Sequence, residues 1–586
     1  MNPFTSAASF DRADSGLGRD NVCHCHSANF SEDSVHEHEN VSNINTRTSR
    51  VQELEMEACS SIQDPHLTYP EQRTEARIPS ATWRLKVPVL FLVLFFNMGC
   101  IVANNVLPQM KHLLMEHMSD GRKKLTAAQF GVISASNSFI NSTLPILAGV
   151  IVDYYGPTLL SLLCSVFIVV GTAVQGAGAQ QGSFSVFLGG EILMAVGTTS
   201  IMTCQMKLYT HWFRGSSETG PGLIGFIIGL SIGMKRVYST IGHQSAIPIK
   251  NATGKWYWAF WLSTILSAVS LLFNFVYITI ESTLPSYMRV KSGHKLLNRN
   301  IEVGSKRANT DPGIARILYQ HIKNIGASLK VLPASFWTVT ILQLLQAGAI
   351  SSFESNSTDV IRKTRHLSEY RAAYISGLDR IIPIVMTPIF GLVFDAFGYR
   401  PFFVSYTAAL YILVFCLTIF TNVNELCPIL LGSLALSSFE IPFVASIPLL
   451  VPSQASVGTA YGVWESFSSA GSVIVNVASG AIQDRSIQDQ RISPAQEYNN
   501  VFYLLISIKV FEFFIGFCYF FLDLRYFGSV LTMSERRRVH EKQAEKSLSS
   551  KNQKLCVPRK SFTIIGCIIT VATIITSYVL FINYSL

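Results

Sequence analysis

Gly149-Val-Ile-Val-Asp153-Tyr-Tyr-Gly156 closes one apolar run, and Gly391-Leu-Val-Phe-Asp395-Ala-Phe-Gly398-Tyr-Arg400 closes another, 242 positions later (391 − 149). Both read G-x-x-x-D-x-x-G between two membrane-length hydrophobic segments. A repeat so placed predicts a chain of two equivalent halves, and membrane bundles of that kind are typically carriers. In each copy the first glycine permits close approach of a neighbouring helix. The aspartate ends its helix and can accept hydrogen bonds from the N-terminus of another. The last glycine permits a tight turn into the next span. One copy alone would read as an ordinary acidic helix cap; two at equivalent places predict a latch that holds one conformation until the bundle rocks. The gating set is Gly149, Asp153, Gly156, Gly391, Asp395, Gly398 and Arg400.

The runs around this repeat set the class. The chain has 586 residues, 49% hydrophobic and only 14% charged, with a mean hydropathy of +0.33. A soluble chain carries about a quarter charged residues, so this composition predicts an all-α integral membrane protein. Apolar runs of about 20 residues, the length of a spanning helix, fall at 87–110, 127–152, 158–178, 186–210, 222–246 and 257–280. A second set falls at 336–354, 371–395, 402–421, 428–450, 458–481 and 500–523. The expected plan is a disordered cytosolic tail over 1–84, a six-helix half over 85–281 and a cytosolic linker over 282–335. A second six-helix half over 336–525, a basic cytosolic segment over 526–560 and an extra span within 561–586 complete it.

The net charge of +9 lies largely in the linker and the tail segment, which marks those loops as cytosolic and gives no reason to expect nucleic acid. Two sequons, Asn251-Ala-Thr253 and Asn356-Ser-Thr358, then fall in loops on the lumenal side, where glycosylation occurs. Against this, Arg122, Lys123, Lys124, Arg362, Lys363 and Arg365 also fall in lumenal loops. The 11 cysteines show no disulfide framework. No catalytic triad, phosphate loop or metalloprotease helix is present, so neither an enzyme nor a cofactor is expected. Cys23-His24-Cys25-His26 and His36-Glu-His38 in the tail match no closed zinc module.

The repeat resembles the loop motif of the major facilitator superfamily, whose fold is twelve helices in two six-helix halves; Tyr154 and Tyr155 stand where a basic residue is usual. Further stretches are similar to the lysosomal dipeptide uniporter branch, the domain-containing protein 1 type of the superfamily. They are Leu332-Pro333-Ala-Ser-Phe336-Trp337, Pro388-Ile-Phe-Gly391, Gly458-Thr-Ala-Tyr-Gly462, Trp212-Phe213-Arg-Gly215 and Leu230-Ser-Ile-Gly-Met234-Lys-Arg236-Val-Tyr-Ser239-Thr240. The resemblance covers about residues 85–525. It implies export of dipeptides, cationic ones especially, from the lysosome or vacuole to the cytosol, with a glycosylated accessory membrane protein and a homodimer as partners. The family's fifth-span arginine maps onto Arg236. Its fourth-span glutamate does not carry over, Thr199 standing in its place, and Asn104 and Asn105 lie near a missing first-span aspartate.

Ionisable groups inside spans are costly and mark candidate function. Arg236 lies near the middle of the fifth span, where a guanidinium can bind a carboxylate bidentately; a structural ion pair with another helix is the alternative. Glu440, just before Pro442, and Glu465 can each bind an amino group or carry a proton. Thr199, Gln205, Asn104 and Tyr461 complete the expected substrate-facing set. Lys207 reads as a snorkelling cation. Lys509 and Glu512 share a helical face and are expected to neutralise each other. Two other readings stay open: a proton-coupled carrier of another small organic solute, and a non-transporting sensor or scaffold acting through its tails.

Overall fold

The computed structural model describes residues 82–120, 123–124, 127–215, 221–285, 288–290, 329, 332–451, 456–488, 496–526, 529–547 and 560–585. The N-terminal tail with its Cys/His run and most of the central linker, expected to be cytosolic, lie outside these.

The spans run in order as Trp83–Gln109, Ala127–Tyr155, Pro157–Gln181, Phe184–Phe213, Ile224–Thr253 and Trp258–Thr283. The second set is Ala334–Arg365, Tyr374–Phe397, Arg400–Phe420, Leu426–Leu450, Val457–Gln488 and Asn499–Tyr526. A further helix, Lys560–Ser585, is apolar and long enough to cross a membrane. The outer faces carry Leu159, Leu272, Phe275, Val385, Phe514 and Phe521 exposed, which suits hydrocarbon rather than water.

The second and eleventh spans lie face to face, and so do the fifth and eighth. Three spans are broken. The first has a single-turn 3-10 segment at Phe95–Asn97, the eighth another at Leu378–Arg380. The tenth stops at Phe439 and resumes in two short pieces, Ile441–Val444 and Ile447–Leu450. Pro442 and Pro448 each remove a helix donor there, and the Glu440 carbonyl takes up the Phe443 and Val444 amides instead.

The seventh helix runs 11 residues past its expected end at 354, to Arg365. This moves the Asn356 sequon out of the expected loop and into a helix, where its amide donates to Ser352 O at 2.9 Å. Asn251 also sits in a helix rather than a loop, but in the exposed last turn of the fifth span. Three of the cations that cut against the charge rule prove to be tied down, and Arg122 lies outside the described residues. Arg362 reaches Asp359 at 2.5 Å, Lys363 reaches Glu497 at 2.6 Å, and Arg365 caps Thr421 O at 2.7 Å.

The helix Lys560–Ser585 packs on the second, seventh and eleventh spans. Tyr578 Oη meets Thr143 Oγ1 at 2.5 Å, and its ring stands edge-on to Phe139 at 4.1 Å. At its other end Gly566 lies against the Trp337 ring, with no room for a Cβ. The extra helix therefore touches both six-helix sets.

Candidate functional site

Two carboxylates bridge the two six-helix sets at the end that carries the repeated motif. Asp153 accepts from Gly458 N at 2.9 Å, Thr459 N at 2.7 Å and Thr459 Oγ1 at 2.7 Å, all at the start of the eleventh span. Asp395 accepts from Gly225 N at 3.0 Å and Phe226 N at 2.9 Å, at the start of the fifth. Each aspartate thus fills the unpaired first amides of a helix in the other set. The approach is as close as backbone allows. A Cβ on Gly458 would stand 2.7 Å from Asp153 Oδ1 and 2.8 Å from Gly149 O; one on Gly225 would stand 2.6 Å from Asp395 Oδ1 and 2.8 Å from Gly391 O. Gly156 and Gly398, at φ 94° and 78°, make the turns that follow.

The copies differ in their cations. Arg400 is 1% exposed and stands 3.8 Å from Asp395. In the first copy the cation comes from elsewhere: Lys207 Nζ lies 2.6 Å from Asp153 Oδ1 and 3.3 Å from Val152 O, with 3% of the residue exposed. Lys207 does not snorkel; it faces inward because the second and fourth spans pack together, and it supplies the charge that Tyr154 and Tyr155 do not.

A second acidic pair has the same separation, 242 (523 − 281), at the ends of the sixth and twelfth spans. Glu281 accepts from Thr158 Oγ1 at 2.6 Å and Val290 N at 3.1 Å. Asp523 accepts from Thr532 N at 2.9 Å and Leu531 N at 3.3 Å. Beyond Asp523 the chain turns back as a strap. Thr532 O and Leu531 O receive the Tyr399 and Arg400 amides at 3.1 and 3.4 Å. The helix Glu535–Ser547 then begins with Glu535, which is bonded bidentately to Arg538, takes the Gly222 amide and acts on Arg400. One segment therefore binds the turn after the eighth span and the entry to the fifth, across the latch.

Charged side chains meet in the middle of the bundle. Arg236 Nη1 lies 3.4 Å from Glu354 Oε1, with side chains 17% and 27% exposed. Glu440 and Asp379 also act on the guanidinium. Lys235, on the next face of the same helix, acts on Glu465. The fifth span thus offers two cations to carboxylates of the seventh, eighth, tenth and eleventh. Lys235, Arg236, Glu354, Glu440 and Glu465 are all half-buried. Deeper in the second set, Lys509 and Glu512 pair at 2.7 Å with no exposure, and Lys509 lies over the Tyr411 ring.

Of the other expected site residues, Asn104 is half-buried and its Oδ1 has no hydrogen-bond partner. Thr199 is buried and bonded to Asn141 and to Ala195 O, with no contact to the charged centre among the described residues. Gln205 is not at the centre. It braces the break in the first span, donating to Val93 O at 2.7 Å and Tyr209 Oη at 2.9 Å and receiving Asn97. Tyr461 is also elsewhere, buried near the Asp153 latch and donating to Val444 O at 3.2 Å. Sequence reasoning missed Glu354, Lys207 and Glu535. Glu354 sat at the last residue of the expected seventh span, where an acid reads as a boundary.

The sequence pattern of the Major Facilitator Superfamily matches residues 89–423 and 339–586. The chain belongs to that superfamily and is a multi-pass membrane transporter. Among characterised relatives, the lysosomal dipeptide transporter MFSD1 of Homo sapiens is 21% identical over 378 residues, covering 62% of this chain and 73% of the relative. That of Danio rerio is 21% identical over 413 residues, covering 68% and 81%. The solved human organic anion transporter MFSD10 (TETRAN) superposes with a TM-score of 0.53 at 15% identity, covering 74% of this chain and 99% of that one. The proton:xylose symporter XylE gives 0.55 at 11% identity, covering 74% and 95%. These two share the fold with this chain.

Proposed function

We propose that the protein is an alternating-access uniporter that carries dipeptides from the lysosomal or vacuolar lumen to the cytosol, with its N-terminus and both latches on the cytosolic side. The observation that carries this reading is the charge pattern at the centre. A dipeptide is a zwitterion, and the fifth span sets two cations opposite carboxylates from four other spans. Arg236 suits the C-terminal carboxylate. With Arg380 4.0 Å from Asp379, the carboxylates Glu354, Asp379, Glu440 and Glu465 outnumber the cations Lys235, Arg236 and Arg380 by one, which favours a cargo bearing an extra positive charge. The likeness to the MFSD1 transporters supports the same cargo and compartment.

In this reading the latched structure is the lumen-facing state. Cargo enters from the lumen, the two sets rock, and Asp153 and Asp395 release their helix N-termini so that the cytosolic side opens. The test is dipeptide flux into proteoliposomes. Arg236→Ala should abolish uptake while leaving expression and melting temperature within the normal range. Unchanged uptake would remove Arg236 from the site. Acidification evoked by cargo would replace uniport with proton coupling.

A further inference from the structure

We infer that Glu354 holds the α-ammonium of the cargo, so that a dipeptide binds by inserting itself into the Arg236–Glu354 ion pair. This rests on the dipeptide reading. Among the described residues, Glu354 is the carboxylate within hydrogen-bond reach of Arg236. The contact is a single one at 3.4 Å rather than a bidentate fork, so it leaves most of the guanidinium's donors unused. Both side chains keep some exposure, so a ligand can reach them. The pair also joins the fifth span to the seventh, one helix from each six-helix set.

The remaining acids are placed less well for this task. Glu465 feels Lys235, and Asp379 stands 4.0 Å from its neighbour Arg380. Glu440 sits at the break of the tenth span, and its carbonyl receives two amides there. The fourth-span position is Thr199, uncharged and bound to Asn141. Glu354 is the acid set free when a cargo carboxylate takes Arg236. An α-amino group stays protonated at neutral and acid pH. Its ends lie about 7 Å apart in an extended dipeptide, so insertion opens the pair and gives each partner a new counter-charge. One ion pair becomes two, and no charge is stranded. A peptide blocked at either end breaks the pair and leaves one partner without a counter-ion, which a partly desolvated site rejects. The site would thereby select for two free ends before it reads any side chain.

The experiment uses the full-length protein in detergent and in proteoliposomes. A neutral dipeptide, its N-acetyl form and its C-terminal amide are compared by thermal shift titration and by counterflow. Wild type should prefer the free dipeptide over the N-acetyl form by on the order of a hundredfold. Glu354→Gln, which keeps shape and fold, should bring that ratio to within about threefold and leave discrimination against the amide intact, because Arg236 remains. Glu354→Asp should restore part of the preference. If Glu354→Gln keeps the wild-type ratio, the ammonium belongs to Asp379, Glu440 or Glu465 and the assignment falls alone. If wild type takes no dipeptide at all, the cargo reading falls and the assignment with it.

Discussion

Lys207 shows what decides the role of a charge in a span: not its depth but the helix it faces. It is 2.6 Å from Asp153 and almost fully covered, so removing it leaves a buried carboxylate with two backbone amides and the Thr459 hydroxyl but no counter-charge. Breaking one side of a buried ion pair costs about 3–5 kcal/mol, and the cost is largest in the latched state, where the pair is covered. Lys207→Ala is therefore expected to move the conformational equilibrium toward the form open at the motif end, by at most about two to four orders of magnitude. Spin-label distances between the motif ends of the second and eleventh spans would report it; a wild-type distribution would show the pair to be incidental. Asp153 was legible in the sequence because it occurs twice. Lys207 was not, because nothing equivalent occurs in the other copy, where Arg400 does the work from within the motif. Arg236 was legible from its cost in the membrane, but its partner was not, since pairing across helices leaves no local pattern.

Single helices explain both the success and the errors of reading spans from hydropathy. The seventh helix outruns its apolar stretch because its polar last turns are held by partners rather than by lipid: Tyr498 donates to Asp359 at 2.6 Å and Glu497 pairs with Lys363. The segment after the twelfth span read as a basic tail, yet its first residues are packed in. There Leu531, Glu535, Arg538 and Val539 are buried. Burial alone would raise the Glu535 carboxyl; Arg538 beside it, with Arg400, holds it below the usual carboxylate range instead. An acid lowered in this way contributes above its ordinary value and is lost only as pH falls through the lowered one. The strap should accordingly stay docked from neutral pH down to about 4. Glu535→Ala should undock it at neutral pH, seen as faster deuterium uptake over 529–540 and a smaller lumen-facing population. Unchanged uptake would show that the backbone bonds to Tyr399 and Arg400 suffice.

Taken as one body, the molecule follows a two-fold plan in its latches and departs from it at its centre and margins. The sidedness proposed for it can be checked at its surface. Asn251 is exposed at the end opposite the latches, whereas the Asn356 amide is tied into its helix. Asn251→Gln should abolish a glycan-dependent shift in gel mobility, and Asn356→Gln should leave it; a glycan persisting without Asn251 would contradict that accessibility argument. The helix Lys560–Ser585 is the larger departure. It roofs the seam between the second and eleventh spans, meeting Thr143 on one side and Trp337 on the other. The sister seam has no such cover among the described residues, and Ile381, Val385 and Ile389 lie bare beside it. A protein with two matching hinges therefore has one open flank. Among the described residues that flank is where lipid reaches a hinge directly, so the bilayer becomes a one-sided lever on a two-sided machine.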